Sequence, residues 1–125
     1  MSFPTELKYT KDHEWISAVT GTARIGVSAY AVEQLGDIVH VELPKVGQSF
    51  SKGAAFGTIE STKTVSDVYL PIAGRVVKVN DALVSHPENL QEAPYAQWLI
   101  EIAVEGEAAG LLDAAGYEAF LAEDH

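Results

Sequence analysis

The segment Leu43-Pro44-x-x-Gly47 recurs 27 positions later as Leu70-Pro71-x-x-Gly74. The same offset maps Gly53 onto Asn80, Ala55 onto Ala82 and Phe56 onto Leu83. Each copy reads as a strand end, a turn at glycine, a strand, a turn at Gly or Asn, and a further strand. Common turn residues can agree by chance. The sharper reading is two similar β units, neither able to bury its apolar face alone, packed as halves of a small barrel or sandwich. The chain of 125 residues is 47% apolar, which suffices for one core and exceeds what a disordered chain carries. The whole of 1–125 is therefore read as a single domain, with no linker or low-complexity stretch.

Around these units the expected elements are mostly β. His13 to Ile16 and Ala23 to Val27 form a hairpin through Thr20-Gly21. Ser28 caps a short helix ending at Leu35, with Gly36 in the left-handed position after it. Ile38 to Leu43 is a half-buried strand with Val39, Val41 and Leu43 inward and His40 and Glu42 outward. Ser85 to Leu90 is a loop with one helical turn, and Trp98 to Val104 is a final strand. Glu107 to Leu112 and Tyr117 to Glu123 are helices, the second carrying Tyr117, Phe120 and Leu121 on a stripe that covers an open end of the β core.

Composition removes several functions. The net charge of −10 opposes binding to nucleic acid or an anionic membrane, because phosphate contacts rest on Lys and Arg. It suits protein partners with basic docking faces and disfavours a large self-interface, so a monomer is expected. There is no cysteine, hence no disulfide, thiolate metal site or cysteine nucleophile. His13, His40, His86 and His125 show no ligand spacing, so no metal is expected. No Gly-x-Ser-x-Gly elbow or phosphate-cradling glycine loop occurs, which speaks against an autonomous enzyme. The N-terminus lacks a signal-peptide pattern and no apolar run reaches membrane-spanning length, so the expected location is cytoplasmic.

Between the repeats lies the segment 54–70. Ala55, Gly57 and Ile59 alternate with Phe56, Thr58 and Glu60, the polar Glu60-Ser61-Thr62-Lys63 follows, and Thr64 to Leu70 returns with Val65, Val68 and Tyr69. This is a hairpin with Lys63 at its exposed tip. A lysine there is ordinarily just solvated. Here it stands between apolar strands, amid the small residues Ser61, Thr62 and Thr64, and midway between two similar units. Such a lysine suits amide attachment of a swinging prosthetic group.

The run Phe56-Gly57-Thr58-Ile59-Glu60-Ser61-Thr62-Lys63-Thr64-Val65-Ser66-Asp67-Val68 resembles the lipoylation segment of glycine cleavage system H proteins. So do Tyr9-Thr10-Lys11-Asp12-His13-Glu14-Trp15, Ala23-Arg24-Ile25-Gly26-Val27, Leu35-Gly36-Asp37-Ile38-Val39, Val41-Glu42-Leu43-Pro44 and Pro94-Tyr95. The resemblance spans Leu7 to Leu121. It departs at Tyr95-Ala96-Gln97-Trp98, where the family usually has a slightly longer, glycine-containing stretch, and at Thr62 and Thr64, where other members often carry Val and Ala.

The resemblance implies a mainly β barrel-sandwich hybrid of the lipoyl and biotinyl carrier type. It implies a short helix after the first hairpin, C-terminal helices, and a lipoyl hairpin over about 54–70. It implies lipoate in amide linkage on Lys63, an arm of roughly 14 Å, with Glu60 and Ser61 in the recognition turn. A pyridoxal-phosphate-dependent glycine decarboxylase would load the arm with an aminomethyl group. A tetrahydrofolate-dependent aminomethyltransferase would take the one-carbon unit, and dihydrolipoamide dehydrogenase would reoxidise the dithiol. Lipoate ligase or lipoyl synthase would install the group. The chain itself would be a carrier, not a catalyst, and its lack of cysteine leaves no protein thiol to exchange with the bound disulfide. By the same resemblance Glu14 and Asp67 line a cleft that shelters the loaded arm from water.

A biotinyl domain typically flanks its lysine with methionine, and the sole methionine here is Met1. A lipoyl domain of a 2-oxoacid dehydrogenase would lack the Tyr9 to Trp15 segment and the C-terminal helices. An H-like protein that relays lipoate to other enzymes is the remaining alternative, and a hydrolase would keep its activity with Lys63 replaced.

Overall fold

The computed structural model describes residues 3–19, 21–106 and 110–123. Thr20, Glu107 and His125, which carried expectations above, lie outside them. Among the described residues nine strands form two antiparallel sheets. The larger contains β1 (Lys8–Tyr9), β2 (Glu14–Val19), β3 (Thr22–Val27), β5 (Ser49–Phe50), β8 (Gly74–Val79) and β9 (Ile100–Val104), in the order β1-β2-β3-β9-β8-β5. The smaller contains β4 (Ile38–Glu42), β6 (Ala55–Ser61) and β7 (Val65–Tyr69), in the order β4-β6-β7. The sheets pack over one core, Ile25, Val76, Ile100 and Ile102 from the first meeting Val41, Ile59 and Val68 from the second. This is the expected sandwich; among the described residues the two sheets are not joined into a closed barrel.

The short helices close its ends. Helix α1 (Ala29–Leu35) is capped by Ser28, whose hydroxyl accepts the Ala31 N–H, as expected. Gly36 has φ 81° but ψ −139°, so it turns the chain sharply toward β4 instead of taking the left-handed helical conformation. Helix α4 (Ala114–Ala122) is capped by Asp113 and seals a second cluster of Phe3, Leu7, Tyr9, Trp15 and Tyr117. The covering role expected of the Tyr117 stripe is therefore met.

Four expectations are corrected. Val39 is 50% exposed, because the register shifts between Ile38 and His40 and turns it outward. A second shift between Ala55 and Gly57 brings Phe56 into the core with Ile59. At Gly57 a Cβ would stand only 2.5 Å from the Glu42 carbonyl oxygen, so its lack of a side chain lets β4 approach. The repeat copies diverge where Gly53 and Ala55 precede and begin β6, while Asn80 precedes helix α2 (Asp81–Ser85). Both turns nonetheless donate their amides across the core edge, Gly53 to the Leu70 carbonyl at 2.8 Å and Asn80 to the Leu99 carbonyl at 3.0 Å. Finally, 110–112 is not helical. Gly110 has φ 74°, and Leu112 exchanges both backbone hydrogen bonds with Tyr9 at 2.7 and 2.8 Å, leaving none for a helix. The helical turn expected near 85–90 falls at α3 (Asn89–Glu92).

Candidate functional site

β6 and β7 form the expected hairpin, with Thr58 opposite Asp67 and Glu60 opposite Val65. Tight two-residue hairpin turns usually need positive φ, which Thr62 and Lys63 do not take. The Ser61 side chain supplies the alternative. Its hydroxyl turns inward, buried, and accepts the amides of Lys63 and Thr64 at 3.2 Å each, while the Ser61 amide donates to the Thr64 carbonyl at 2.8 Å. The Thr62 amide donates to the Asp37 carbonyl at 3.0 Å, just past α1. All three tip amides are thus bonded, and the backbone under Lys63 is fixed.

The Lys63 side chain is exposed, and its ammonium has no hydrogen-bond or ion-pair partner among the described residues. Its stem lies along Gly36, where a Cβ would meet Lys63 Cε at 3.0 Å. A solvated primary amine on a stiff turn flanked by exposed Thr62 and Thr64 fits acylation by an approaching enzyme, and Glu60 is exposed beside it. The residues present therefore fit a lysine-linked prosthetic arm.

Beside the tip lies a cleft of about 290 Å³. Asp12, His13 and Glu14 form one wall, Tyr30, Ala31, Gln34 and Leu35 of α1 another, and Ile59, Ser66, Asp67 and Val68 of the lysine-bearing hairpin a third. It thus unites Glu14 and Asp67, and it reaches Leu35, next to the glycine under the Lys63 stem.

Glu14 is 2% exposed. Its carboxylate accepts the Thr10 hydroxyl at 2.8 Å and the Tyr69 amide at 3.1 Å. Burial outweighs these bonds and pushes its pKa from 4.5 up to about 7. A cation entering the cleft would compensate that carboxylate. Asp67 is exposed at the rim.

Sequence reasoning missed the supports behind both places. Thr10 and the Tyr69 amide hold Glu14, and the Asp37 carbonyl holds the tip. Gln91 of α3 accepts the Ile38 amide at 2.7 Å and steadies the Asp37 corner. Only the Leu35-Gly36-Asp37 run gave a signal, as a turn after a capped helix.

A sandwich displaying an unpartnered lysine on a braced hairpin, beside a cleft with a buried carboxylate, defines the class of prosthetic-group carrier domains. The family model for the glycine cleavage H-protein matches residues 7–124. The chain is 45% identical to the glycine cleavage system H protein of Koribacter versatilis (strain Ellin345), over 99% of this chain and 98% of that one. It is 48% identical to that of Bacteroides thetaiotaomicron, over 95% and 97%. A crystal structure of a glycine cleavage system H protein from Mycobacterium marinum superposes with a TM-score of 0.88 at 43% identity, covering 94% of this chain and 97% of that one. The chain belongs to the glycine cleavage H-protein family: it is a lipoate-bearing, non-catalytic carrier of the glycine cleavage system.

Proposed function

We propose that 1–125 acts as one carrier domain with its lipoyl hairpin over about 54–70, and that Lys63 is the attachment residue. The observation that carries this is the exposed Lys63 amine, without a partner among the described residues, on a turn whose amides are all bonded. Glu60 is offered to the lipoylating enzyme, lipoate ligase or lipoyl synthase, while Ser61 acts through the shape of the turn it closes. When bound, lipoate would supply a cyclic disulfide on a flexible arm, the oxidised form that can accept the aminomethyl group as its sulfur–sulfur bond opens, and whose reduced dithiol would be reoxidised once the group has left.

This chain's own residues do the rest. The turn keeps the arm's root fixed, so each partner meets it at one place and at high effective concentration. The Glu14 carboxylate would pair with a cationic group entering the cleft on the arm, Asp67 would add charge at the rim, and the apolar wall of Val27, Leu35, Ile59 and Val68 would exclude water. The partners are the pyridoxal-phosphate-dependent glycine decarboxylase, the aminomethyltransferase and dihydrolipoamide dehydrogenase, met by a monomer in the cytoplasm. No helix among the described residues is long and apolar enough to cross a membrane.

Reconstitution tests the role. Lipoylated chain mixed with the three partner enzymes should support glycine-dependent CO₂ release and NADH formation. A chain that instead hands lipoate to other lipoyl domains and leaves glycine intact would be the relay, and the carrier assignment would fall.

A further inference from the structure

We propose that Tyr117 of α4 is a positioning residue for the cleft: its hydroxyl ties the His13 turn to the start of α1 and so sets the separation of the two walls. The proposal rests on the reading of the cleft as the resting place of the loaded arm. The cleft is lined by residues from 12–14, 27–35, 59 and 66–68, and none comes from α4. Yet the Tyr117 hydroxyl lies 2.8 Å from His13 Nδ1 and 2.7 Å from Ser28 Oγ. His13 precedes Glu14 in the first wall, and Ser28 caps the helix that makes the second.

With His13 neutral and unprotonated at Nδ1, one proton arrangement satisfies all three contacts. The Ser28 hydroxyl donates to the Tyr117 oxygen, the Tyr117 hydroxyl donates to His13 Nδ1, and Ser28 Oγ accepts the Ala31 amide at 3.2 Å. The Ser28 amide donates to the His13 carbonyl at 2.9 Å, a second tie between the same walls. His13 has φ 70°, the only positive φ outside glycine among the described residues, and such a conformation persists where its surroundings hold it. Tyr117 and Ser28 are both fully buried, so water does not compete for the bond between them, while the bond to His13 lies at the edge of the cleft.

The ring and the hydroxyl of Tyr117 have separable tasks. The ring stacks on Tyr9 with centroids 4.8 Å apart and meets Phe3 edge-on at 5.0 Å, so it belongs to the second apolar cluster. The hydroxyl reaches past that cluster to the walls. Tyr117→Phe keeps the first task and removes the second. Burial holds the phenol pKa above its ordinary value, which keeps it a donor throughout the neutral range.

The test compares full-length Tyr117→Phe with wild type in two readouts. In the unloaded chain, hydrogen exchange should quicken several-fold at the amides of Ala31 and Tyr69, which report the two walls, and stay unchanged at Thr62 and Lys63. In the lipoylated chain loaded by the glycine decarboxylase, hydrolysis of the loaded arm should quicken about three- to tenfold. Lipoylation of Lys63 by a lipoate ligase serves as the reference and should keep its rate. Ser28→Ala should reproduce the effect, the double variant should add little to either single one, and Ser28→Thr should restore protection.

Unchanged wall exchange and hydrolysis in Tyr117→Phe, alongside fast hydrolysis in Glu14→Ala/Asp67→Ala, would reduce Tyr117 to a core aromatic. Exchange rising uniformly along the chain would equally sink the proposal. Hydrolysis unchanged in the Glu14 and Asp67 variant as well would remove the sheltering cleft itself, and Tyr117's task with it.

Discussion

The hairpin tip and the cleft beside it solve opposite problems. At the tip the backbone is satisfied bond by bond through Ser61 and Asp37, while the Lys63 side chain is left to solvent. In the cleft a side chain is what is fixed: Glu14 is buried among bonded neighbours, and its charge is held at an electrostatic cost. On the roles proposed above, the contrast teaches how a carrier would divide its work. An attachment point offered to several enzymes would be stiff but bare, and a shelter that tightens around one cargo would keep a poorly solvated charge that a cation can relieve.

That comparison can be broken most severely at Lys63. Lys63→Arg should abolish lipoylation and all glycine-dependent turnover, yet change stability by no more than about 0.5 kcal/mol, because the side chain holds nothing. Chemical denaturation beside the coupled assay reads both. A large loss of stability would mean that the tip is not bare.

The cleft should respond in the reverse sense. Between its ordinary pKa of 4.5 and the raised value of about 7, folded Glu14 keeps a proton that the unfolded chain has released. Stability from this group is therefore full at low pH and falls as pH rises through that window, by roughly 3 kcal/mol at about 1.4 kcal/mol per pH unit. Glu14→Gln should flatten this fall in denaturation curves recorded from pH 4.5 to 8. If the variant and wild-type slopes coincide, Glu14 carries no such cost.

Gly36 joins the two regions, and Gly36→Ala should disturb both. The φ of 81° and a Cβ 3.0 Å from Lys63 Cε predict about 2 kcal/mol of lost stability together with slower lipoylation. Loss of stability at an unchanged lipoylation rate would uncouple the glycine from the lysine. The smallest effect is expected at the start of α4. Asp113→Ala removes the cap that accepts the Gly116 amide at 2.7 Å and should cost about 1 kcal/mol in thermal or chemical unfolding, with the tip unaffected.

The tip was the more legible region. Alternating apolar residues on either side of Glu60-Ser61-Thr62-Lys63 mark a hairpin, and a hairpin locates its own turn. The inward Ser61 hydroxyl was not legible, since a serine in a turn reads equally well as solvated. Nor were the bulges at Val39 and near Gly57, because a period of two carries no sign of an inserted residue. Helix α2 was hidden by a repeat whose first copy continues as a strand. Glu14 and Asp67 are distant in sequence and share a cleft only through tertiary packing, so their pairing rested on family resemblance. The hydroxyl of Tyr117 was concealed by its ring, whose helical stripe reads simply as core.

Mass spectrometry of the intact chain, produced together with a lipoate ligase and lipoate and then mapped by peptide fragmentation, tests the carrier assignment most directly. The account predicts the added mass of a single lipoyl group, confined to Lys63. An unmodified chain after complete exposure to the ligase, or the group found on any other lysine, would contradict it.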